Sequence, residues 1–580
     1  MREVNQRKEE GITILVLTIT IIILLILAGI TITLLTGENG LIKNAGQAKE
    51  ETEISNEKEI VDMSSAQAMA KNNRGILEEK QFQEFINNNT GGKAEVTNIG
   101  DEFEVYFKDT QRFYLVDKYG NISGELEKVK DQYPGDITKD ENGNDLDGTT
   151  KPYQINCIED LVALSNMVNR IGKVYQDGKL IDAENSKTIN AGTKIVLTKN
   201  LNFKSRASYV DSKRTDFGDI NEIEDENILI EELASGLGFR PIGFEKRFEG
   251  NFDGQNNKIE GIYINNTSGN TGLFGIGSSN TIISNLEISG EITGVMHTGG
   301  IIGKTAKKIE NCVNRANITG YNGVGGIAGL IMEVSSTADI VDCYNYGNVN
   351  ITGSSWAYSG AGGIVGFMSR GGDFSIINCT NEGNISGKGN LSGIGGIVGC
   401  INTNTKIINC CNIGTSQESG IVGFVRAGDS NIVNTYNLGK CKNGITNVLN
   451  GGANEQELGL SIRNCFVRGE VSDAGILGEI GKIAKKITLN IENTYCAVNS
   501  KNAIIGTIPT NDSNTEKIIN IKNVYYDENK SNNVGATEEG ITKINIQNNS
   551  SFVDILNNNI GQNTEWKEWK MGKDGYPIFI

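Results

Sequence analysis

The sequence has one histidine, five prolines and 7% aromatic residues in 580, and 54 basic against 71 acidic side chains. A single imidazole, His297, excludes zinc sites built on two or more histidines, the His-Glu-x-x-His helix included. Ser-His-Asp or Cys-His catalysis would have to use His297. It lies in the glycine-flanked "TGVMHTGG" with no activated-serine motif beside it, so it reads as a surface or turn histidine. The ten cysteines contain no Cys-x-x-Cys pair, only the adjacent Cys410 and Cys411, so neither a metal nor a cofactor is expected. The net charge of −17 disfavours nucleic acid as a partner, because phosphate binding needs clustered Lys and Arg. Glycine is abundant, 72 residues against about 7% in ordinary chains, yet it keeps no three-residue period, which excludes collagen.

What is present begins with a long apolar run. Residues Ile12–Thr36 carry no charge over 25 positions, about 37 Å as helix and enough to span a bilayer. A signal peptide cut after Ala28-Gly29 is the alternative, but its apolar region would normally be shorter. Arg2, Arg7 and Lys8 precede the run, which favours a short inner N-terminus and an outer body. "GLIKNAGQAKEETEISNEKEIVDMSSAQAMAKN" then continues at helical density, and residues 93–125 alternate like a small sheet.

These N-terminal residues resemble type IV prepilins and pseudopilins, in which a short basic leader ends in Gly and is removed by a peptidase. The resemblance places the processing site at Gly11 and Ile12. It implies a membrane-anchored helix, a small headpiece and pilin-like subunits as partners. The family usually has Phe or Met at the first mature position and Glu four residues later. Ile12 and Val16 stand there, so anchoring is implied more strongly than filament assembly.

A polar, acidic stretch at 131–151 reads as a linker. Asp140, Asn142 and Asn144 have calcium-loop spacing, but Asp145 and Lys151 occupy the positions that need Gly and Glu. From about 250 to 525 an Ile-x-Asn phrase returns, led by Ile309, Ile340, Ile376, Ile407, Ile432, Ile462, Ile491 and Ile521. The third position after Ile reads Cys312, Cys343, Cys379, Cys410, Thr435, Cys465, Thr494 and Val524. Asn311, Asn378, Asn409 and Asn464 are among the residues just before, with Asp342 the exception. Intervals of 25 to 36 residues admit two or three short strands per repeat, one coil of a β-solenoid. Gly- and Asn-rich five-residue strands exclude helical repeats, and variable length suits open stacking better than a propeller ring.

Strict alternation would put each Cys on the partly solvated face of the residue two before it. A left-handed bend at Asn would reset the alternation and turn the Cys inside. The cysteines then read as small buried residues of the lumen, replaceable by Thr and Val. Disulfides between adjacent coils are the alternative in an exported protein.

The segments "GGIIG" (299–303), "GGIAG" (325–329), "GGIVG" (362–366 and 395–399) and "AGILG" (474–478) resemble the GLUG-motif family of bacterial surface proteins. That family includes adhesin-like proteins and some surface proteases. The resemblance implies a mainly β, right-handed parallel β-helix carrying no catalytic residues. "PYQINCIEDLVALSNMVN" (152–169) resembles the family's capping helix, and "TEWKEWKMGKDGYPIFI" its closing segment. The expected organisation is a leader (1–11), a membrane helix (12–36), a pilin-like helix and sheet (37–130) and a linker (131–151). A cap and entry coils (152–250) with an acidic insertion (211–235), a solenoid (251–527) and a C-terminal cap (528–580) complete it.

The expected role is surface display in adhesion, with carbohydrate or a surface protein as ligand. Tyr321, Tyr344, Tyr346, Trp356 and Tyr358 are candidate platforms. The alternatives are a passive stalk and a polysaccharide-degrading enzyme. The enzyme would need facing carboxylates or Asp–Arg clusters, and the best acidic cluster (216–232) reads as a solvated loop.

Overall fold

The computed structural model describes residues 41–580 apart from 72–75, 99–101, 108–109, 111, 128–135, 141, 178, 204–235, 333–336, 354–359, 370–371, 389–392, 453–456, 510–514 and 532. The leader and apolar run, with Gly11 and Ile12, the acidic insertion, and Trp356 and Tyr358 all lie outside the described residues. Among the described residues no helix is long and apolar enough to cross a membrane. The chain divides into two compact units, Met1–Lys128 and Val129–Ile580.

In the first unit, α1 (Leu41–Lys71) and α2 (Glu79–Thr90) precede an antiparallel sheet in the order β1 (Ala94–Asn98), β2 (Glu102–Phe107), β3 (Arg112–Asp117), β4 (Ile122–Glu127). Val61, Phe82, Ile86, Phe103, Val105 and Tyr114 share one apolar core. Gly91, at φ 68°, ends α2 in the left-handed conformation that glycine adopts without Cβ strain. Inside, the buried Glu57 carboxylate accepts a hydrogen bond from Tyr114 Oη at 2.7 Å, which offsets its desolvation.

The second unit is a parallel β-solenoid. Tyr153–Ile155 pairs with Lys194–Leu197, which pairs with Asn251–Asp253, and each later strand pairs in parallel with its equivalent one coil on. One coil comprises Val365–Met368, Asp373–Ile377, Thr380–Asn381, Ile385–Gly387 and Ile394–Gly395. Five short strands therefore replace the expected two or three. The physical reason lies in two kinds of corner that interrupt the ladder every few residues.

The first corner is the residue before each Cys. Asn311, Asp342, Asn378, Asn409, Asn434, Asn464, Asn493 and Asn523 all have φ between 45° and 57°. Asn and Asp enter this region at lower cost than other side chains. The bend puts Ile309 and Cys312 both inside, at 0% exposure, although they are three residues apart. The second corner is glycine. A Cβ at Gly396 would lie 2.1 Å from Gly420 O and 2.4 Å from Asn412 Cγ, with the same conflict at Gly326 and Gly363. Glycine is required there because the next coil's backbone and an amide fill the space.

That amide belongs to a buried ladder. Asn314, Asn345, Asn381, Asn412 and Asn437 are all 0% exposed. Each Nδ2 donates to the next Oδ1 at 2.7, 2.7, 2.7 and 2.8 Å. The second proton of Asn314, Asn345, Asn381 and Asn412 goes to the carbonyl two residues on, at 2.9–3.0 Å. A second ladder runs through the left-handed asparagines, from Asn493 to Asn464, Asn434, Asn409, Asn378 and Asp342.

The two ends differ. α3 (Ile158–Asn169) is buried at every residue, and Ser165 Oγ and Asn169 Nδ2 donate to Arg240 O (2.8 Å) and Pro241 O (3.0 Å). The stretch 131–151, expected as a linker, is folded within this unit where it is described. Ile137 and Leu146 join the solenoid core, and Lys194 N donates to Gly148 O. Asp140 accepts from Asn142 N and Asn144 N at 2.9 and 2.8 Å, so its calcium-like spacing forms a turn.

The C-terminal segment flanks the coils instead of closing their end. Tyr436, Phe466, Tyr495 and Tyr525 occupy successive rungs, the first three stacked at centroid distances of 4.6 and 5.4 Å. Phe552 of α4 (Ser550–Ile560) together with Trp569 packs on this column in one apolar cluster. Asn434 and Asn464 donate from the second ladder to Glu565 O and Lys567 O. Aromatic area drives this lateral docking, since about 25 cal/mol is gained per Å² of apolar surface covered.

Asp342 is the one acidic rung in the second ladder. It accepts from Asn378 but has no side-chain N–H to donate to Asn311 Oδ1. Asp342→Asn should therefore stabilise the protein by about 1 kcal/mol, read as a higher urea midpoint. Gly396→Ala should cost about 3 kcal/mol or more through overpacking. An unchanged midpoint in Gly396→Ala would contradict the corner assignment.

Candidate ligand-binding face

Beyond the Cys corner, side chains alternate in and out, so one surface is built of columns read coil by coil. The inward column is the buried asparagine ladder. The outward neighbour before it reads Val313, Tyr344, Thr380 and Cys411 in register. The outward neighbour after it reads Arg315, Tyr346, Glu382, Ile413, Leu438 and Arg468, and two residues further come Asn317, Asn348, Asn384, Thr415, Lys440 and Glu470.

The early coils of this face are aromatic and amidic. Tyr344 and Tyr346 are each 38% exposed and Tyr321 42%. The Arg315 guanidinium lies 4.2 Å from the Tyr346 ring centroid and donates from Nε to Glu287 at 3.0 Å, which holds the ring's neighbourhood in place. Asn348 Nδ2 donates to Asn317 Oδ1 at 3.2 Å and Asn384 Nδ2 to Asn348 Oδ1 at 3.1 Å, a solvent-facing amide row beside the rings.

In later coils the same face becomes a cleft of about 710 Å³. Its walls include Thr415, Gln417, Lys440, Lys442, Arg468 and Lys530, and its apolar floor includes Val471 and Val498. Lys440 pairs with Glu470 at 3.0 Å and Lys442 with Glu418 at 3.5 Å. Burial pushes the Glu418 carboxyl up, partly offset by Lys442. Arg468 donates to Asp574 and lies 5.1 Å from the Phe466 ring, while its buried Nε has no hydrogen-bond partner.

The repeat cysteines lie away from this chemistry. Cys312, Cys343, Cys379, Cys410 and Cys465 are 0% exposed, and all ten cysteines are free thiols. Each of the five Sγ atoms donates to the carbonyl two residues before it at 3.1–3.3 Å. At the equivalent rungs Thr435 and Thr494 Oγ1 make the same bond at 2.9 Å. Thr and Cys therefore alternate as small buried donors, a role the sequence reading assigned only to size. Burial pushes the Cys312 and Cys379 thiols up, and Cys465 up to about 12. Among the described residues no cluster of three His, Cys, Asp or Glu side chains is placed to hold a metal ion.

His297 is more enclosed than a surface turn, and its Nδ1 is 2.8 Å from Asn270 Oδ1. Burial, then the charge of Lys304, lowers its pKa to about 4.

Sequence inspection missed the buried asparagine ladder, although its signal is present as the Asn two residues after each Cys or Thr of the phrase. It also missed the cleft, whose four cations come from three separate coils with no local motif.

No family model matches the chain. It is 31% identical over 102 residues to a protein of Evansella cellulosilytica described as "Putative Gly-rich membrane protein". That match covers 17% of this chain and spans 12% of the relative's length. Among solved structures, a crystal structure from Bacteroides ovatus described as "a putative immunoglobulin A1 protease" aligns over 77% of this chain and 99% of that one. The alignment has 15% identity and a TM-score of 0.31.

Two measurements check this chemistry. A thiol reagent should find ten reactive cysteines in denaturant and none in the native protein, where nine are buried and burial, then Asp160, pushes the half-buried Cys157 thiol far up. Because folded His297 sits below the unfolded value of about 6.5, the unfolded state takes up the proton first as pH falls. Its stabilisation is complete above about pH 6.5 and is lost towards pH 4, about 3 kcal/mol at most. His297→Gln should flatten the urea midpoint against pH over that range.

Proposed function

We propose that the chain is a membrane-anchored, surface-displayed protein whose right-handed solenoid binds an extended carbohydrate in adhesion and carries out no catalysis. The observation that carries this reading is the face on which Tyr344 and Tyr346 stand exposed beside the amide row of Asn317, Asn348 and Asn384. Aromatic faces stack on the C–H faces of sugar rings, and amides both donate to and accept from hydroxyls. The amide row repeats at about 4.8 Å per coil and carries a chain-like ligand on past the single tyrosine pair.

Anchoring is supported by the uncharged run Ile12–Thr36 and by the likeness to a Gly-rich membrane protein. Display outside the cell is supported by the basic residues Arg2, Arg7 and Lys8 before the run. The prepilin-like leader supports cleavage at Gly11 with Ile12 as the mature N-terminus, and pilin-like subunits as neighbours in the membrane.

Two experiments test the reading. The full chain in detergent micelles should bind a subset of neutral glycans on an array, and Tyr344→Ala/Tyr346→Ala should weaken that binding roughly tenfold, about 1.4 kcal/mol. No binding to any glycan, or equal binding by the double variant, would leave a passive stalk as the better account. Mass spectrometry of the native N-terminus should find Ile12 first. Intact Met1 would refute processing while keeping a plain anchor.

A further inference from the structure

Of 15 residues lining the cleft, four are cations (Lys440, Lys442, Arg468 and Lys530) and one is a carboxylate (Glu470), in a chain of net charge −17. The columns show how this arises. The neutral row Asn317, Asn348, Asn384, Thr415 turns into Lys440, and the row Asn350, Ser386, Gln417 turns into Lys442. The column of Tyr346 passes through Glu382, Ile413 and Leu438 to Arg468. The aromatic-amide face and the cationic cleft are thus successive parts of one surface.

The cations are held differently. Arg468 is fixed over Phe466 and by Asp574, with its Nε–H still unused. Lys440 and its partner Glu470 are 67% and 77% exposed, so their mutual attraction is screened and easily exchanged for a better anion. Lys530 is exposed and has no ion pair among the described residues. Around them stand hydroxyl- and amide-bearing Thr415, Gln417, Ser472 and Asn499, whose groups both donate to and accept from sugar hydroxyls.

We infer that the cleft binds the anionic groups, carboxylate or sulfate, of an acidic polysaccharide whose neutral or ring-stacking portion lies on the tyrosine face. This rests on the carbohydrate-binding reading above and adds the ligand's charge and its direction along the coils.

The test uses the full chain in detergent micelles and titration calorimetry. The probes are oligogalacturonate, a neutral oligogalactan of equal length, sulfated dextran and poly-glutamate. Oligogalacturonate should bind about tenfold or more tightly than oligogalactan at low salt, and the difference should shrink as salt screens it. K440A/K530A, both exposed positions, should abolish that difference while leaving the urea midpoint unchanged. Tighter binding of sulfated dextran than of oligogalacturonate supports the anion site and makes sulfate its group. Oligogalactan binding with no acid preference, or a preference untouched in the double variant, overturns the cleft assignment alone. Tighter binding of poly-glutamate overturns it in favour of an acidic peptide. Failure of both sugars to bind overturns the carbohydrate reading itself.

Discussion

Parallel stacking places each side chain within about 4.8 Å of its own counterpart in the next coil. Every residue type in this solenoid is selected against that constraint. Like charges repel at such a distance, so the outward columns alternate sign where they are charged, as Glu457, Lys486 and Glu516 do. Buried amides satisfy it because one end of each donates and the other accepts, and an endless column leaves unpaired groups only at its two ends. Rings satisfy it by stacking. Glycine satisfies it where nothing else fits between two backbones.

The asparagine corner and the glycine corner answer the same problem from opposite sides. The left-handed Asn reverses the alternation so that two large apolar positions and a small donor all reach the lumen. The glycines then let the neighbouring turn close over the inner amides. Losing either would expose or strand a polar ladder, and a buried unpaired amide costs about 1–3 kcal/mol. The apolar core fills what remains, with Ile309, Ile376, Ile407 and Ile432 all fully buried in one column.

Much of this was legible in the chain itself. The Ile-x-Asn-Cys phrase carried both the solenoid and the bend, because φ preference is a local property of Asn. The number of strands per coil was less legible, since corners every few residues split what composition reads as one strand. The folding of 136–151 and the lateral docking of α4 depend on distant partners, Tyr153 and Lys194 for one and Phe466 and Tyr495 for the other. Composition there is polar or ordinary, so no local pattern announces the contact. The tyrosines of the proposed face were visible as isolated aromatics, but their column neighbours were not. Columns join residues 25 to 36 positions apart, and Thr415 beside Lys440 becomes meaningful only once coils are in register.

The two amide ladders run in opposite senses. In the inner one each coil donates to the coil after it, Asn314 to Asn345 and onward. In the outer one each coil donates to the coil before it, Asn409 to Asn378 and Asn464 to Asn434. Aligned amides add their dipoles as peptide groups do along a helix. Two counter-running columns subtract, so their dipoles oppose each other along the coils. Each added coil extends both columns together, so the opposing dipoles grow in step.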